Sequence, residues 1–312
     1  MTRALVLGVT GGIGGAVTRR MLARGWRVTA LVRDQARAAE TWGTSAAPDW
    51  QAGDAMTRAD VVRAAMGASV IIHAVNPPGY RNWERLVLPM LDNTIVAARS
   101  AGARVMLPGT LYNYDPSATP VIDERTPQRP PGRKGTVRVE MERRLMEAAP
   151  DVRSLVVRAG DFFGPGARQS WFAQAFAKPP LTRIMNPGTP RVGHAWAFLP
   201  DLAETIVRLI ELPPDRLRPC ERLQFPGHDI ADGSEIVAAI RRATGRPDLP
   251  ERHFPWALMR ALAPFGGFPR EVLEVRPFWQ YPMRLDGRRL RELVGDLPCT
   301  SLDAAVASAL NA

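Results

Sequence analysis

A cluster of glycines near the beginning of the chain constrains its fold more than any other feature. An apolar run over residues 5–7 is followed by Gly8, Gly11 and Gly14, and an amphipathic stretch comes next. A strand that breaks into such a cluster and continues as a helix can turn tightly and bring its backbone against a pyrophosphate. The first N–H groups of the helix then face the phosphates with a partial positive charge. The spacing therefore predicts a dinucleotide site at this turn.

Short apolar runs and helical patterns alternate along most of the chain. This alternation predicts an α/β fold, a doubly wound parallel (Rossmann) sheet with helices on both faces and right-handed crossovers. The predicted strands cover residues 3–8, 27–32, 48–53, 68–75, 104–108 and 152–158, and the predicted helices cover 12–24, 57–66, 83–102, 136–149, 168–177, 201–212 and 234–244. We expect a dinucleotide-binding domain over 1–163 plus about 190–212. A smaller, mostly C-terminal substrate-binding portion should cover about 164–189 and 213–312.

The composition limits the kinds of partner that the protein can have. The net charge is +10, but only two of the 41 basic residues are lysines, and the arginines are scattered. A nucleic-acid-binding protein should carry a clustered basic stripe, so we expect no nucleic-acid partner. No apolar run approaches the roughly 20 residues of a membrane span, and neither a signal peptide nor a metal-binding spacing is visible. We expect a cytoplasmic protein with a small-molecule substrate and no membrane partner, and a homodimer stays open.

The end of the second predicted strand bears on which dinucleotide is bound. In such folds this strand ends beside the adenosine ribose, where an acidic residue would bind a free 2′-hydroxyl. Here Arg33 comes first and Asp34 follows it. Because an arginine suits a 2′-phosphate, the sequence favours NADP(H), with NAD(H) left open. The alternative is that Arg33 is a solvated strand end and that Asp34 caps the next helix.

Several motifs together resemble the extended (or atypical) short-chain dehydrogenase/reductase family, which includes nucleotide-sugar epimerases and dehydratases. The glycine run is similar to the family's GxxGxxG form. Residues 158–165 resemble its Arg-x-x-Asn-x-x-Gly-Pro run, with Asp161 where Asn is usual. Residues 201–203 resemble its Asp-Leu-Ala signature. The resemblance covers most of residues 1–212 and implies an NAD(P)-dependent enzyme.

The resemblance also implies which residues hold the cofactor. Asp54 would bond the adenine ring, residues 74–76 would line the cofactor after the fourth strand, and Arg138 would bond the ribose hydroxyls. The implied set is Gly8, Thr10, Gly11, Gly12, Ile13, Gly14, Arg33, Asp54, Ala55, Ala74, Val75, Asn76, Arg138, Ala159 and Asp161.

The catalytic residues are where the sequence departs from the family. The family uses a Ser or Thr with a Tyr and a Lys, and YxxxK spacing puts the last two on one helical face. None of the four tyrosines of this chain is followed by such a lysine. By register, Lys134 takes the tyrosine position and Arg138 the lysine position, but an arginine cannot act as a neutral proton carrier. Lys134 would be an acid or base if burial and the Arg138 charge made it release its proton; otherwise it is a loop lysine in solvent.

Other candidates for proton transfer lie in the loop after the fifth strand. Thr110 matches the family's Ser/Thr, Tyr114 matches an aromatic that follows it, and Tyr112 is extra. Either phenol would replace the missing acid, or both only pack the loop. His73 ends the fourth strand, where open α/β sheets bind ligands, but a lone histidine there is more often packed than catalytic.

Residues 250–285 are rich in aromatic side chains. They would form either an apolar substrate pocket or the core of a small C-terminal domain, and core is favoured because most apolar residues pack. Arg270, Arg276 and Arg284 nearby would suit an anionic substrate, or they are solvated.

Three functions follow from these observations. The first is an NADP(H)-dependent oxidoreductase with a non-standard triad that acts on a small carbonyl or hydroxyl substrate. The second is an NAD-dependent epimerase or dehydratase that acts on a nucleotide-sugar-like substrate. The third is a non-catalytic NADP(H)-binding sensor or regulator, which the missing YxxxK spacing favours.

Overall fold

The computed structural model describes residues 2–43, 46–77 and 83–311; Tyr80 lies outside this part of the chain. The strands are β1 (Arg3–Leu7), β2 (Arg27–Val32), β3 (Asp49–Ala52), β4 (Val70–His73), β5 (Arg104–Gly109), β6 (Val121–Ile122), β7 (Ser154–Arg158), β8 (Asp161–Phe163), β9 (Ile184–Asn186), β10 (His194–Phe198), β11 (Cys220–Gln224), β12 (His228–Ile230), β13 (Glu251–His253) and β14 (Arg284–Leu285). The α-helices are α1 (Gly12–Ala23), α2 (Gln35–Trp42), α3 (Arg58–Ala64), α4 (Trp83–Ala101), α5 (Arg133–Glu147), α6 (Leu199–Ile210), α7 (Ser234–Thr244), α8 (Trp256–Leu262), α9 (Gly267–Leu273), α10 (Arg288–Val294) and α11 (Leu302–Leu310). None of the helices described is both long enough and apolar enough to cross a membrane.

The chain divides into two compact units. Unit 1 comprises Met1–Gly109, Val137–Arg158 and Ala203–Leu223, and unit 2 comprises Thr110–Thr136, Ala159–Leu202 and Gln224–Ala312. These bounds differ from the predicted domain bounds because pairing between distant strands decides them. The loop after β5 contributes β6, which pairs with β14 in unit 2, and β8 pairs there with β10. Residues 213–223 fall in unit 1, where β11 joins the large sheet.

Unit 1 is built on a seven-stranded sheet in the order β11-β7-β5-β4-β1-β2-β3. The six strands from β7 to β3 run parallel to their neighbours, which confirms the predicted doubly wound α/β fold. Leu5, Ile71 and Val105 lie in register on one face of the central strands, and Val6, Ile72 and Met106 lie on the other. All six are fully buried. This is the pattern of a parallel sheet covered by helices on both sides.

Unit 2 contains three small sheets with the strand orders β12-β10-β8, β13-β9 and β14-β6. Its main core joins the helices α7 and α11 to an aromatic cluster that includes Phe163, Trp196 and Trp279. The helix predicted over 168–177 is present only as a short π-helical turn, Phe172–Phe176, because Ala177 N–H bonds the carbonyl five residues earlier.

Candidate functional site

The glycine turn of unit 1 allows a close approach of backbone segments that no larger residue would permit. Gly8 has a φ of +90°, and a β-carbon there would lie 2.5 Å from the Ala74 carbonyl oxygen. A β-carbon on Gly14 would lie 2.2 Å from the Gly8 carbonyl oxygen. The Gly11 N–H donates to that same oxygen at 3.0 Å, which closes the turn. The turn thus keeps side chains away from the start of α1.

The start of α1 is suited to a phosphate. Gly11 precedes the helix without a side-chain cap, and the first turn carries no acidic residue. Within the described residues, no side chain therefore competes for the first N–H groups, and a phosphate can accept from them. Thr10 and Gly11 are exposed, whereas Ile13 and Gly14 are buried on the packed side. These residues fit a dinucleotide pyrophosphate.

Arg33 and Asp34 follow β2 and have different surroundings. Asp34 caps α2, because its Oδ1 accepts the Arg37 N–H at 3.0 Å, as the alternative interpretation of Asp34 predicted. Arg33 is exposed, and no ion pair within the described part of the chain involves it. Its guanidinium is therefore available to an added anion.

The two loops that were predicted to line the cofactor are held by hydrogen bonds within unit 1. Asp54 Oδ1 accepts the Met56 N–H at 2.9 Å, and the Ala55 carbonyl accepts from Asn93 Nδ2 at 3.0 Å. The Ala74 N–H donates to the Leu7 carbonyl oxygen at 2.9 Å, and Val75 follows Ala74 in the same loop. Asn76 Oδ1 accepts from Trp83 Nε1 at 2.6 Å.

His73 at the end of β4 is fully buried rather than open to a ligand. Its Nδ1 lies 2.8 Å from the Thr94 hydroxyl, and that hydroxyl donates to the Met90 carbonyl at 3.0 Å. The hydroxyl has one proton, so His73 Nδ1 must donate to Thr94. Burial, assisted by the nearby Arg138 charge, lowers the pKa of His73 to about 3. The imidazole is therefore neutral and packed, as expected.

Two arginines of unit 1 lie along α5 and β7. Arg138 is half-buried, and its guanidinium lies 5.3 Å from the centre of the Trp83 ring. Arg158 is fully buried and forms an ion pair with Glu142, with Nε donating to Oε1 at 3.0 Å. The arginine of the Arg-x-x-Asn-like run is thus fixed within the fold.

Lys134 lies at the start of α5 in unit 2 and is 4% exposed, so it is not a lysine in solvent. Its Nζ donates hydrogen bonds to the Glu271 and Glu274 carboxylates and to the Glu271 carbonyl oxygen, all within 3.1 Å. Opposing effects act on the Glu271 carboxyl: desolvation raises its pKa, the Lys134 and Arg133 charges lower it, and the net shift is downward. An ammonium has three N–H donors, and three acceptors surround this one.

Thr110, Tyr112 and Tyr114 lie in the loop after β5, also in unit 2. Thr110 is half-buried, and its hydroxyl oxygen accepts the Tyr112 N–H at 3.4 Å. The Tyr112 ring packs against Phe278 with the ring centres 5.0 Å apart. Tyr114 is fully buried in an apolar cluster with residues such as Ile122. Tyr114 therefore packs in the interior, whereas Thr110 and Tyr112 remain partly exposed to solvent.

Sequence reasoning missed one pair in unit 2. Asp161 Oδ2 lies 2.7 Å from His194 Nε2, and the imidazole stacks on Trp279 with ring centres 3.8 Å apart and an interplanar angle of 5°. The parallel pairing of β8 with β10 sets Asp161 opposite Trp196, which is two residues beyond His194 and so on the same strand face. Ala159, which was predicted to contact the cofactor with Asp161, is buried just before β8.

The aromatic segment 250–285 divides between core and surface. Phe278, Trp279 and Met283 are buried, as the core interpretation predicts. Phe265 is 88% exposed and Phe268 is 65% exposed, so these two rings belong to neither a core nor an enclosed pocket. Of the three arginines named in this segment, Arg276 lies 5.8 Å from the centre of the Trp256 ring.

Comparison with known proteins agrees with the geometry of the glycine turn. Residues 8–130 match a family model described as NAD(P)H-binding. This segment is similar to NAD(P)H-binding domains. A curated relative, the 3-diazoavenalumate denitrifying reductase of a Streptomyces species, is 33% identical over 180 residues. The alignment covers 53% of this chain and 57% of the relative, so the chain spans little more than half of that protein.

Solved structures share the fold over nearly the whole chain. The superposition on MoeE5 in complex with UDP-glucose and NAD covers 99% of this chain and 97% of the MoeE5 chain, with a TM-score of 0.77 and 18% identity. The Bordetella bronchiseptica enzyme WbmH in complex with NAD+ covers 100% and 98%, with a TM-score of 0.75 and 18% identity. UDP-glucose 4-epimerase from Bifidobacterium longum covers 99% and 97%, with a TM-score of 0.76 and 18% identity. The predicted resemblance is thus confirmed by the family-model match over residues 8–130 and by the shared fold.

Proposed function

We propose that the protein is an NADP(H)-dependent oxidoreductase with a non-standard catalytic triad that acts on a small carbonyl or hydroxyl substrate. The glycine turn carries this proposal, because Gly8 and Gly14 leave room for a pyrophosphate at the bare start of α1. The exposed guanidinium of Arg33 favours a 2′-phosphate and therefore NADP(H). The reductase name of the curated relative supports the reaction class.

The nicotinamide would supply or accept a hydride when bound. The cofactor set stays as predicted from the sequence, with Arg138 at the ribose and the loops around Asp54 and Asn76 beside the dinucleotide. Thr110 would orient the substrate oxygen, since this half-buried residue directly follows β5. We place the substrate-binding portion in unit 2.

A second candidate is an NAD-dependent epimerase or dehydratase. The observation that favours it is the full-length likeness to structures that hold NAD and a UDP-sugar. Such an enzyme would keep its NAD through the cycle, so boiling the purified protein should release NAD. The oxidoreductase proposal predicts no such release.

Cofactor binding tests the proposal directly. Titration with NADPH and NADH, followed by fluorescence, should give micromolar affinity for NADPH and weaker binding of NADH. Arg33→Ala should weaken NADPH binding by about tenfold, because one charge-assisted contact is lost, and should leave NADH binding unchanged. Arg27→Ala, at the other end of β2, is the matched control and should alter neither. If neither nucleotide binds at micromolar concentrations, the proposal fails.

A further inference from the structure

Helices α8 and α9 of unit 2, which pack on each other, present an apolar surface to solvent. Their exposed apolar side chains, here called the apolar patch, are Leu258, Leu262, Phe265 and Phe268. Between the two phenylalanines, Gly266 and Gly267 have φ values of +80° and +64°, a conformation that residues with a β-carbon rarely adopt. The two glycines thus form a turn that leaves both rings outside the core.

Helix α8 is apolar around its circumference apart from one arginine. Its Trp256 and Met259 face inwards and pack against buried apolar residues of unit 2, and Trp256 Nε1 donates to the Pro187 carbonyl oxygen at 2.9 Å. Leu258 and Leu262, one helical turn apart, lie on the opposite side of the helix. A helix that is apolar all round is normally covered on all sides. No residue of α8 is buried, so its outer side is open to an apolar partner.

The charged residues of the same segment are all basic. No Asp or Glu occurs from Arg252 to Arg270. These two arginines and Arg260 are exposed, and among the residues that the structure describes none provides them with a carboxylate partner. Glu271, just beyond the segment, is bonded to Lys134 instead. The apolar patch is thus accompanied by unpaired positive charge, and its complement is a partner that is both apolar and anionic.

A second copy of this chain fits the surface less well than a lipid bilayer does. In a symmetric dimer the same surface lies on both sides of the contact, so the arginines of one copy would come close to those of the other. Like charges that meet across an interface weaken binding. A bilayer with anionic lipids offers both complements, because its acyl chains accept apolar side chains and its headgroups accept guanidinium groups.

We propose that the apolar patch and its flanking arginines dock on the surface of a bilayer that contains anionic phospholipids. Phe265 and Phe268 enter the boundary between headgroups and acyl chains, and Arg260 and Arg270 contact the lipid phosphates. The seven residues of α8 are too few to span a bilayer, which takes about 20, so the contact is peripheral. The expectation of no membrane partner concerned spanning segments, and this contact needs none.

Vesicle binding by the full chain tests the proposal. The protein should sediment with vesicles that mix phosphatidylcholine and phosphatidylserine, far less with phosphatidylcholine alone, and should be released as salt rises. Phe265→Ser with Phe268→Ser should weaken binding to the mixed vesicles by about tenfold or more, because two rings no longer leave water. Arg260→Gln with Arg270→Gln should also weaken it by about tenfold or more, since each basic residue near an anionic surface contributes about fivefold.

The matched control lies in unit 1. Met66→Ser with Arg58→Gln removes an exposed apolar side chain and an exposed arginine, and this variant should bind the vesicles as the wild type does. All the changed residues are exposed, so every variant should keep the circular dichroism spectrum and the melting temperature of the wild type.

Three results would overturn the proposal. The first is a wild type that does not bind the anionic vesicles. The second is full binding by the variant with Phe265→Ser and Phe268→Ser, because the general attraction of a basic protein would then explain the contact. The third is a wild-type dimer in light scattering that this variant loses, which would assign the apolar patch to a second copy of the chain.

Discussion

In unit 1 the buried Arg158 meets Glu142, and the buried His73 donates to Thr94 through Nδ1 but has no described partner at Nε2. Unit 2 also buries polar groups, but they differ among themselves. Lys134 is enclosed by Glu271 and Glu274, whereas His194 is held at one nitrogen only and lines a pocket. The comparison teaches that burial alone does not mark a proton carrier. His73 and His194 each keep one ring nitrogen outside the described hydrogen bonds, so an unbonded nitrogen does not mark a proton carrier either.

The largest effect is expected from the buried ion pair of unit 1. Arg158→Ala should lower the free energy of unfolding by about 3–5 kcal/mol, because it leaves the Glu142 charge buried without its main partner. Denaturant unfolding measures this. The double variant Arg158→Met with Glu142→Leu should recover most of the loss. A loss below about 1 kcal/mol in Arg158→Ala would mean that the pair is more hydrated than its burial indicates.

His73 should make the stability depend on pH. The pKa of His73 is 6.5 in the unfolded chain and about 3 in the folded one, so the unfolded state binds more protons between these values. Stability therefore falls as pH drops below 6.5, by about 2 kcal/mol between pH 7 and pH 5. His73→Gln should remove this part of the pH dependence, and His253→Gln should leave it intact. Parallel pH profiles for wild type and His73→Gln would contradict the assignment.

A smaller effect is expected at Lys134. Lys134→Met leaves the Glu271 and Glu274 carboxylates together without their counter-charge. It should lower the free energy of unfolding by about 1–2 kcal/mol, a modest loss because both glutamates keep some solvent contact. Lys178→Met, at the exposed lysine, should be neutral by the same denaturation assay. If Lys134→Met instead abolished turnover with little change in stability, Lys134 would be the proton carrier despite its enclosure by carboxylates.

Local patterns were enough to predict most of unit 1, although β11 was not among the predicted strands. The glycine spacing, the apolar strands and the helix start signals all act over a few residues, and α1 was predicted to within one residue of its bounds. The role of Asp34 as the N-cap of α2 was also predicted, as an alternative, because a helix cap involves only neighbouring residues. Here local chemistry and the tertiary fold agree.

The chemistry of unit 2 depends on distant pairings, and a single sequence does not show these. Lys134 meets Glu271 across 137 residues of chain, and Asp161 meets His194 across 33. Asp161 was predicted to contact the cofactor, in the place where the family has asparagine, but its pairing with a histidine was not foreseen, and His194 was not noticed. One signal was available: His194 and Trp196 alternate on one strand face near a segment rich in aromatic residues.

The scarcity of lysine has a practical consequence for labelling. Apart from the terminal amine, amine-reactive probes can attack only Lys134 and Lys178 in this chain. Lys134 is enclosed by carboxylates, whereas Lys178 is exposed. A fluorophore or a surface tether coupled through lysine should therefore attach to unit 2 at one defined position. The protein thus offers near-single-site conjugation without an engineered cysteine.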